Sequence, residues 1–332
     1  MPSSIRVSDW GHEMARPHVT DADTLHQTGD RRALPEQHAS VASPIGTVRG
    51  RRTQASIVWA KLRRNRMAIP GGVVVLLLML LAIFAPLVTP RDPLYIDTAY
   101  KFTPPGHAGF LLGSDELGRD VLSRLLYAGR VSLSVGLATA AITVIIGSLL
   151  GAVAGYYGGL IDALIMRSVD VLLALPTIFL LLALAAFVKP TVIVIILLIG
   201  LTMWMAVARM VRGQVLAVKE QEFILAARAI GATDARLIFR QLLPNALAPV
   251  LVAATLNVAA AILVESSLSY LGYGIQPPTA SWGNMLNNAQ TAVTYAPWVA
   301  IFPGIMITLT VVSFNFFGDG LRDALDPRTL VS

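Results

Sequence analysis

The chain has 332 residues, 55% of them hydrophobic and only 14% charged, with a formal net charge of +6 and no cysteine. At a mean hydropathy of +0.65, this composition cannot be covered by a water-facing surface of ordinary make-up, which excludes a soluble globular protein and places most of the chain in lipid. The lack of cysteine excludes disulfides and thiol chemistry without fixing a compartment.

Residues 1–48 are rich in His, Asp, Thr, Pro and Ala, carry no apolar period, and read as a disordered cytoplasmic tail. Four of the five histidines (His12, His18, His26 and His38) lie there. Their irregular spacing favours plain tail composition over a metal site, and no metal site is expected in the chain. Residues 49–90 combine a basic juxtamembrane segment (Arg49, Arg51, Arg52, Lys61, Arg63, Arg64, Arg66) with a first apolar run, 67–90. That run lies too late and behind too much polar sequence for a cleavable signal peptide, and is expected to stay as an anchor.

Further uncharged runs follow at 131–161, 171–188, 190–208, 241–264 and 266–318, the last long enough for a loop and a span. A helix needs roughly 20 such residues to cross about 30 Å of hydrocarbon. Six spans fit, centred near residues 79, 143, 179, 200, 256 and 307. The expected fold class is therefore all-α, a polytopic membrane protein with six transmembrane helices. Lys189 and Pro190 divide what would otherwise be a helix about twice the membrane thickness, so a tight outer turn is expected there.

Basic residues set the orientation. Arg209, Arg212, Lys219, Arg228, Arg236 and Arg240 crowd the segment between the fourth and fifth spans, whereas 91–130 is balanced in charge and 273–297 is uncharged. Both termini are thus expected in the cytoplasm. Residues 91–130 become an extracytoplasmic loop, 131–318 a five-helix core that includes a cytoplasmic loop at 213–245, and 319–332 a cytoplasmic C-terminus.

Within the spans, Gly147, Gly151 and Gly155 recur every four residues and present small surfaces along one helix face, where a neighbouring backbone can approach closely. Ordinary glycine enrichment in membrane helices is the plainer alternative. Pro176 and Pro303 can kink the third and sixth spans. Glu265, near the outer end of the fifth span, is costly in lipid unless it faces protein or a water-filled path. Two roles stay open for it, lining a path or structural hydrogen bonding. One glutamate without a second intramembrane carboxylate or histidine makes a thin proton relay, which leaves ion-coupled secondary transport as a weaker alternative.

The cytoplasmic stretch 222–245, EFILAARAIGATDARLIFRQLLPN, is the most informative. A helical projection places Phe223, Ala227 and Ile230 on one face, with Glu222 and Arg228 elsewhere. Gly231 ends that helix and reverses the chain. A second short helix is expected from Thr233 or Asp234 to Pro244, making a compact foot. Ala226 and Ala227 leave room for side chains of another molecule, while Glu222, Arg228 and Arg236 offer a polar rim, so a docking surface for a partner protein is expected.

Outside the membrane, 112–130 is polar and glycine-containing, suited to a folded cap in which Asp115, Arg119, Asp120 and Arg124 pair. In the later outer loop Pro277 and Pro278 stiffen the chain and Trp282 is expected at interface depth. Glu265, Gln276 and Trp282 are the candidate path or gate residues, with interfacial anchoring as the alternative for the loop. No nucleotide-binding Gly-Lys-Ser/Thr loop, His-Glu-x-x-His or Gly-x-Ser-x-Gly element occurs, so no enzyme is expected in this chain, and ATP must be hydrolysed elsewhere if it drives this protein.

On these residues the chain resembles the membrane subunits of bacterial ABC importers. Their cytoplasmic loop carries a Glu-Ala-Ala triplet, a glycine a few residues on and a later Leu-Pro pair. The matching residues here are Leu225, Ala226, Ala227, Gly231, Leu243 and Pro244, with Leu225 where the pattern has glutamate. The segments Leu112-Gly113-Ser114-Asp115-Glu116-Leu117-Gly118-Arg119-Asp120, Leu271-Gly272-Tyr273-Gly274-Ile275-Gln276-Pro277-Pro278 and Gly318-Asp319-Gly320-Leu321-Arg322-Asp323 resemble the second permease subunit of dipeptide, oligopeptide and nickel importers.

The resemblance spans roughly residues 55–328 and implies a type I ABC importer transmembrane fold in a bacterial cytoplasmic (inner) membrane. It also implies the partners: a homologous permease forming a heterodimer, two ABC ATPase subunits that bind ATP and Mg, an extracytoplasmic solute-binding protein, and a peptide substrate, preferred over nickel. No cofactor in this chain and no nucleic acid partner are expected. The loop is then the ATPase-coupling element, built on Glu222, Phe223, Ala226, Ala227, Arg228, Ile230, Gly231, Leu243 and Pro244.

Overall fold

The computed structural model describes residues 60–63 and 65–325. The tail 1–48 with its four histidines, Arg49, Arg51, Arg52 and Arg64, and the last residues, 326–332, lie outside the described residues.

The first helix, α1 (Ala68–Ile83), is started by Asn65, whose side-chain oxygen accepts from the amides of Met67 (3.0 Å) and Ala68 (3.2 Å). After a one-turn helix at Ala85–Val88 and an outer loop comes α2 (Val121–Tyr157). Asp120 caps it by accepting from the Ser123 amide at 2.7 Å, and Gly158 and Gly159, both at positive φ, end it and turn the chain. The next helices are α3 (Gly159–Leu173), α4 (Thr177–Ala185) and α5 (Val192–Val218). A polar foot holds α6 (Glu222–Ala229) and α7 (Asp234–Leu237), followed by a π-helical turn at Ile238–Leu242 and a short turn at Leu243–Asn245. Last come α8 (Leu247–Tyr270), α9 (Trp282–Ala289) and α10 (Trp298–Leu325), the last running unbroken through Pro303.

The structure is all-α and polytopic, but the expectation of six equal spans is corrected. Among the described residues four helices, α2, α5, α8 and α10, are long and apolar enough to cross a membrane, and five if α3 and α4 together count as one. α3 and α4 meet at 87°. The break has a local cause, since Pro176 offers no amide to continue α3 and disfavours the helical conformation of the residue before it. The expected third span, 171–188, therefore starts inside one helix and ends beyond the next. α1 has 16 residues, about 24 Å of helix against roughly 30 Å of hydrocarbon. At the other extreme, the 37 residues of α2 extend for about 55 Å, so its first turns belong to the outer cap.

α2 packs most extensively on α5, and α8 packs on both α2 and α10. Gly147, Gly151 and Gly155 form the α2 face of the first contact. A Cβ at Gly147 would stand 2.6 Å from Val207 Cβ, one at Gly151 would collide with the Ala208 backbone, and one at Gly155 would stand 2.9 Å from Val215 Cβ. The two backbones thus meet with no room for a methyl group.

The outer cap is folded around buried charge. Arg119 bonds Asp115 through Nε at 2.7 Å and Glu116 through Nη2 at 2.7 Å, and Arg124 Nε lies 3.3 Å from Asp115. Asp120 does not join these arginines; it caps α2 and also accepts from the Ser123 hydroxyl at 2.6 Å. Burial, with Asp115 adding to it, pushes the Glu116 carboxyl above its ordinary value.

The glycine contact gives a direct test. Gly151→Ala should destabilise the chain by about 1–3 kcal/mol through overpacking. Gly213→Ala on α5, where nothing lies within 4 Å of the added Cβ, should stabilise it by about 0.4–1 kcal/mol. Thermal unfolding of the purified complex checks both, and equal effects at the two positions would contradict the close-contact reading.

Candidate functional site

The foot is shaped by ordinary helix signals. Glu222 stands in the first turn of α6 and Arg228 in its last, each complementing the helix dipole. The helix closes with Ile230 N donating to Ala226 O (3.1 Å) and Ala232 N to Ala227 O (3.1 Å), and Gly231 takes φ +84° to reverse the chain. Thr233 then starts α7 by accepting from the Arg236 amide.

Two faces result. Ile224 (0% exposed) and Ala227 turn inward and join Leu237, Ile238 and Leu242 in packing on Ala152 and Tyr156 of α2 and on Val207, Val211 and Val215 of α5. Phe223, Leu225, Ala226 and Ile230 (87% exposed) face outward with Glu222, and Phe239 is exposed beyond them. The expected single face of Phe223, Ala227 and Ile230 is therefore corrected. Phe223, Ala226 and Ile230 share the outer stripe, and of the two alanines only Ala226 leaves room for a partner. Leu243 packs partly against the inner cluster, and Pro244 is exposed.

Polar contacts lock the inner face. The Tyr156 hydroxyl donates to Asp234 Oδ1 at 2.5 Å, the Arg228 guanidinium stands 5.5 Å from the Tyr156 ring centroid, and Lys219 Nζ donates to Gly155 O at 3.2 Å. Just behind, Arg212 holds Asp162 through two bonds of 2.5 and 2.6 Å, tying α5 to α3. Sequence reasoning missed Ile224, Tyr156 and Asp234. The available signal was weak: a tyrosine pair closing an apolar run, and an acid at the start of a short helix.

The outer candidates are not brought to one path. Glu265 is 0% exposed. It accepts from the Ser132 hydroxyl of α2 (3.2 Å) and from Ser269 (2.7 Å). Those hydroxyls in turn accept from the amides of Trp282 (3.2 Å) and Ile275 (3.1 Å). Trp282, expected at interface depth, is 1% exposed, and its Nε1 donates to Leu125 O at 3.1 Å. Gln276 is at the surface, where it donates to Gly272 O and Gly274 O within its own loop. Glu265 and Trp282 thus knot α2, α8 and α9 together in the interior of the chain. Among the described residues no group of three His, Cys, Asp or Glu able to hold a metal is present.

The described residues thus form a bundle of apolar helices carrying a polar foot with an outward-facing apolar stripe. The family described as binding-protein-dependent transport system inner membrane component matches residues 147–331, and that described as the N-terminal TM domain of oligopeptide transport permease C matches residues 53–105. The chain belongs to the first of these families, and within it is a permease subunit of an ABC importer.

It is 41% identical over 268 residues to the dipeptide transport system permease protein DppC of Alkalihalophilus pseudofirmus, covering 81% of this chain and 88% of the relative. It is 42% identical to the di/tripeptide transport system permease protein DppC of Pseudomonas aeruginosa (81% and 91% covered). Against the oligopeptide transport system permease protein OppC of Bacillus subtilis the identity is 40% (81% and 88% covered). A chain of the MetNI methionine ABC transporter, in an inward-facing conformation, shares the fold at a TM-score of 0.50 and 22% identity, covering 62% of this chain and 97% of that one.

The Glu265 network generates a stability prediction. Glu265→Ala strips the Ser132 and Ser269 hydroxyls of their acceptor and should cost about 1–3 kcal/mol, whereas Glu265→Gln keeps an acceptor and should lose less. Thermal unfolding measures the difference, and an alanine variant as stable as the parent would show that the network does not hold the outer cap.

Proposed function

We propose that the chain forms one half of the translocation path of an ATP-driven importer of dipeptides or oligopeptides, paired with a homologous permease as a heterodimer. Two ATPase subunits, which bind ATP and Mg, sit beneath it, and an extracytoplasmic solute-binding protein delivers peptide from above. The observation that carries this reading is the two-faced foot: its inner face is clamped to α2 and α5, and its outer face presents Phe223, Ala226 and Ile230, which none of the described residues covers. An exposed apolar stripe on a rigid support fits a protein partner.

The basic residues on and around the foot support a cytoplasmic position for it and for both termini. Closure of the ATPases on ATP then pushes the foot. Because Ile224 and Ala227 are buried against α2 and α5, and Tyr156 holds Asp234, the push reaches those helices directly. Leu225 adds apolar contact where the family pattern has a carboxylate. The two states are biased in opposite directions by ATP and by its hydrolysis products.

Peptide as substrate is supported by relatives at about 40% identity whose names specify dipeptide, di/tripeptide and oligopeptide transport. Nickel import is the second reading of the same assembly. Uptake into sealed vesicles carrying the complete assembly decides it. Labelled di- and oligopeptides should accumulate with ATP and not without it, and accumulation of nickel alone would overturn the peptide reading.

The corrected face gives a sharper docking test. Ala226→Asp should leave the fold intact and reduce ATPase capture and transport by tenfold or more. Ala227→Asp puts a charge into the inner cluster and should destabilise the subunit itself by more than about 3 kcal/mol. Co-purification of ATPase subunits with each variant is the measurement. Normal capture and uptake with Ala226→Asp would remove the outer stripe from the docking surface.

A further inference from the structure

α1 and α10 cross at backbone contact. A Cβ at Gly71 would lie 2.8 Å from Ser313 O and 3.1 Å from Phe317 N, and Gly320 abuts Ala68. Asn65 fastens the same corner, donating to Asp323 at 2.9 Å while its oxygen caps α1. Beside this crossing lies a groove of about 260 Å³, walled by Leu62, Ile69, Val73 and Leu76 with Phe317 on the α10 side. Gly72 keeps it open, because even a Cβ there would sit 3.2 Å from the Phe317 ring. The lining is apolar except at one end, where Arg63 stands, and Arg66 is exposed on the same segment. Of the acids at the end of α10, Asp323 is engaged by Asn65, and the exposed Asp319 is accompanied by the exposed Arg322.

We propose that this groove binds an anionic phospholipid, one acyl chain lying along Gly72 and Phe317 and the headgroup phosphate on Arg63 and Arg66. The chemistry selects this occupant. A partner helix would satisfy the walls but leave the basic mouth without an anion, and a soluble anion would satisfy the mouth but leave the walls bare. A lipid satisfies both. Its walls are fixed by the α1–α10 crossing, so little ordering accompanies binding.

Arg63 and Arg66 immediately precede α1, where basic residues flanking a span reach to the headgroup layer. The proposal rests on the cytoplasmic placement of this end, where anionic lipid is concentrated and each basic residue contributes about 1 kcal/mol, or roughly fivefold, to binding.

The chain has no cysteine, so Val73→Cys supplies a single thiol in this subunit for a fluorophore in the groove. The full complex is placed in nanodiscs carrying phosphatidylglycerol or phosphatidylethanolamine with brominated acyl chains. Brominated phosphatidylglycerol should quench at a mole fraction at least tenfold lower. Arg63→Gln with Arg66→Gln should abolish that preference, and Gly72→Leu should weaken quenching by both lipids. Equal quenching by the two lipids, a preference that survives the double substitution, or a probe shielded from both lipids by a protein segment would each overturn the proposal. ATP-driven uptake by the same complex in proteoliposomes tests the transport reading separately.

Discussion

The contact between α2 and α5 carries the rest of the structure. Gly147, Gly151 and Gly155 let the two backbones touch, with Ala208 seated directly on Gly151. In lipid there is no hydrophobic drive to bring helices together, so close packing of small residues must supply the attraction. The benefit extends past the glycines. With α2 and α5 joined as one slab, Ala152, Tyr156, Val211 and Val215 form a continuous surface at its end, and Ile224 and Ala227 of α6 are buried on it. The foot is held on this floor by apolar burial together with the Tyr156–Asp234 hydrogen bond.

At the opposite end the organising element is polar. A buried carboxylate loses its hydration, a cost of several kcal/mol that only well-made hydrogen bonds offset. Glu265 receives two, from hydroxyls that are themselves oriented by the amides of Trp282 and Ile275. Each serine both donates and accepts, so the network is cooperative and fixes the α9 corner relative to α2 and α8. The Asp115, Arg119 and Arg124 cluster does the same for the loop before α2. The outer cap is thus stiffened by internal charge and hydrogen bonding rather than by a path-lining gate.

How much of this was legible in the sequence depends on which signal each feature left. α8 and α10 follow the long uncharged runs, although α8 continues through Glu265 and α10 through Asp319 and Asp323, and Gly231 ends α6 at the expected residue because positive φ is cheap only there. Charge-free length says nothing of helix continuity, however, and so predicts one kinked span where Pro176 divides α3 from α4. Asp162 and Asp170 lie within α3, where Arg212 and Arg209 pair with them. The stretch Phe223 to Ala227 is apolar at every position, so a projection has no polar residue to fix its phase and groups Ala227 with Phe223 and Ile230, where the structure has Ala226. Trp282 was placed at the interface by its usual preference, but its indole proton finds Leu125 O inside the chain.

These features divide the chain into stiff and compliant parts, which bears on how a push from the ATPases would travel. α6 moves with α2 and α5, since its inner face is buried on them. It is linked to α8, by contrast, through the π-helical turn Ile238–Leu242, a wider turn than the α-helix and a frequent mark of functional sites. α3 and α4 meet at a break that cannot be closed by backbone bonding at Pro176. In the proposed cycle α8 shares the outer anchorage of α2 through Glu265 and Ser132, so movement of the foot is taken up where the chain is not fastened, at the π turn and at the α3–α4 bend.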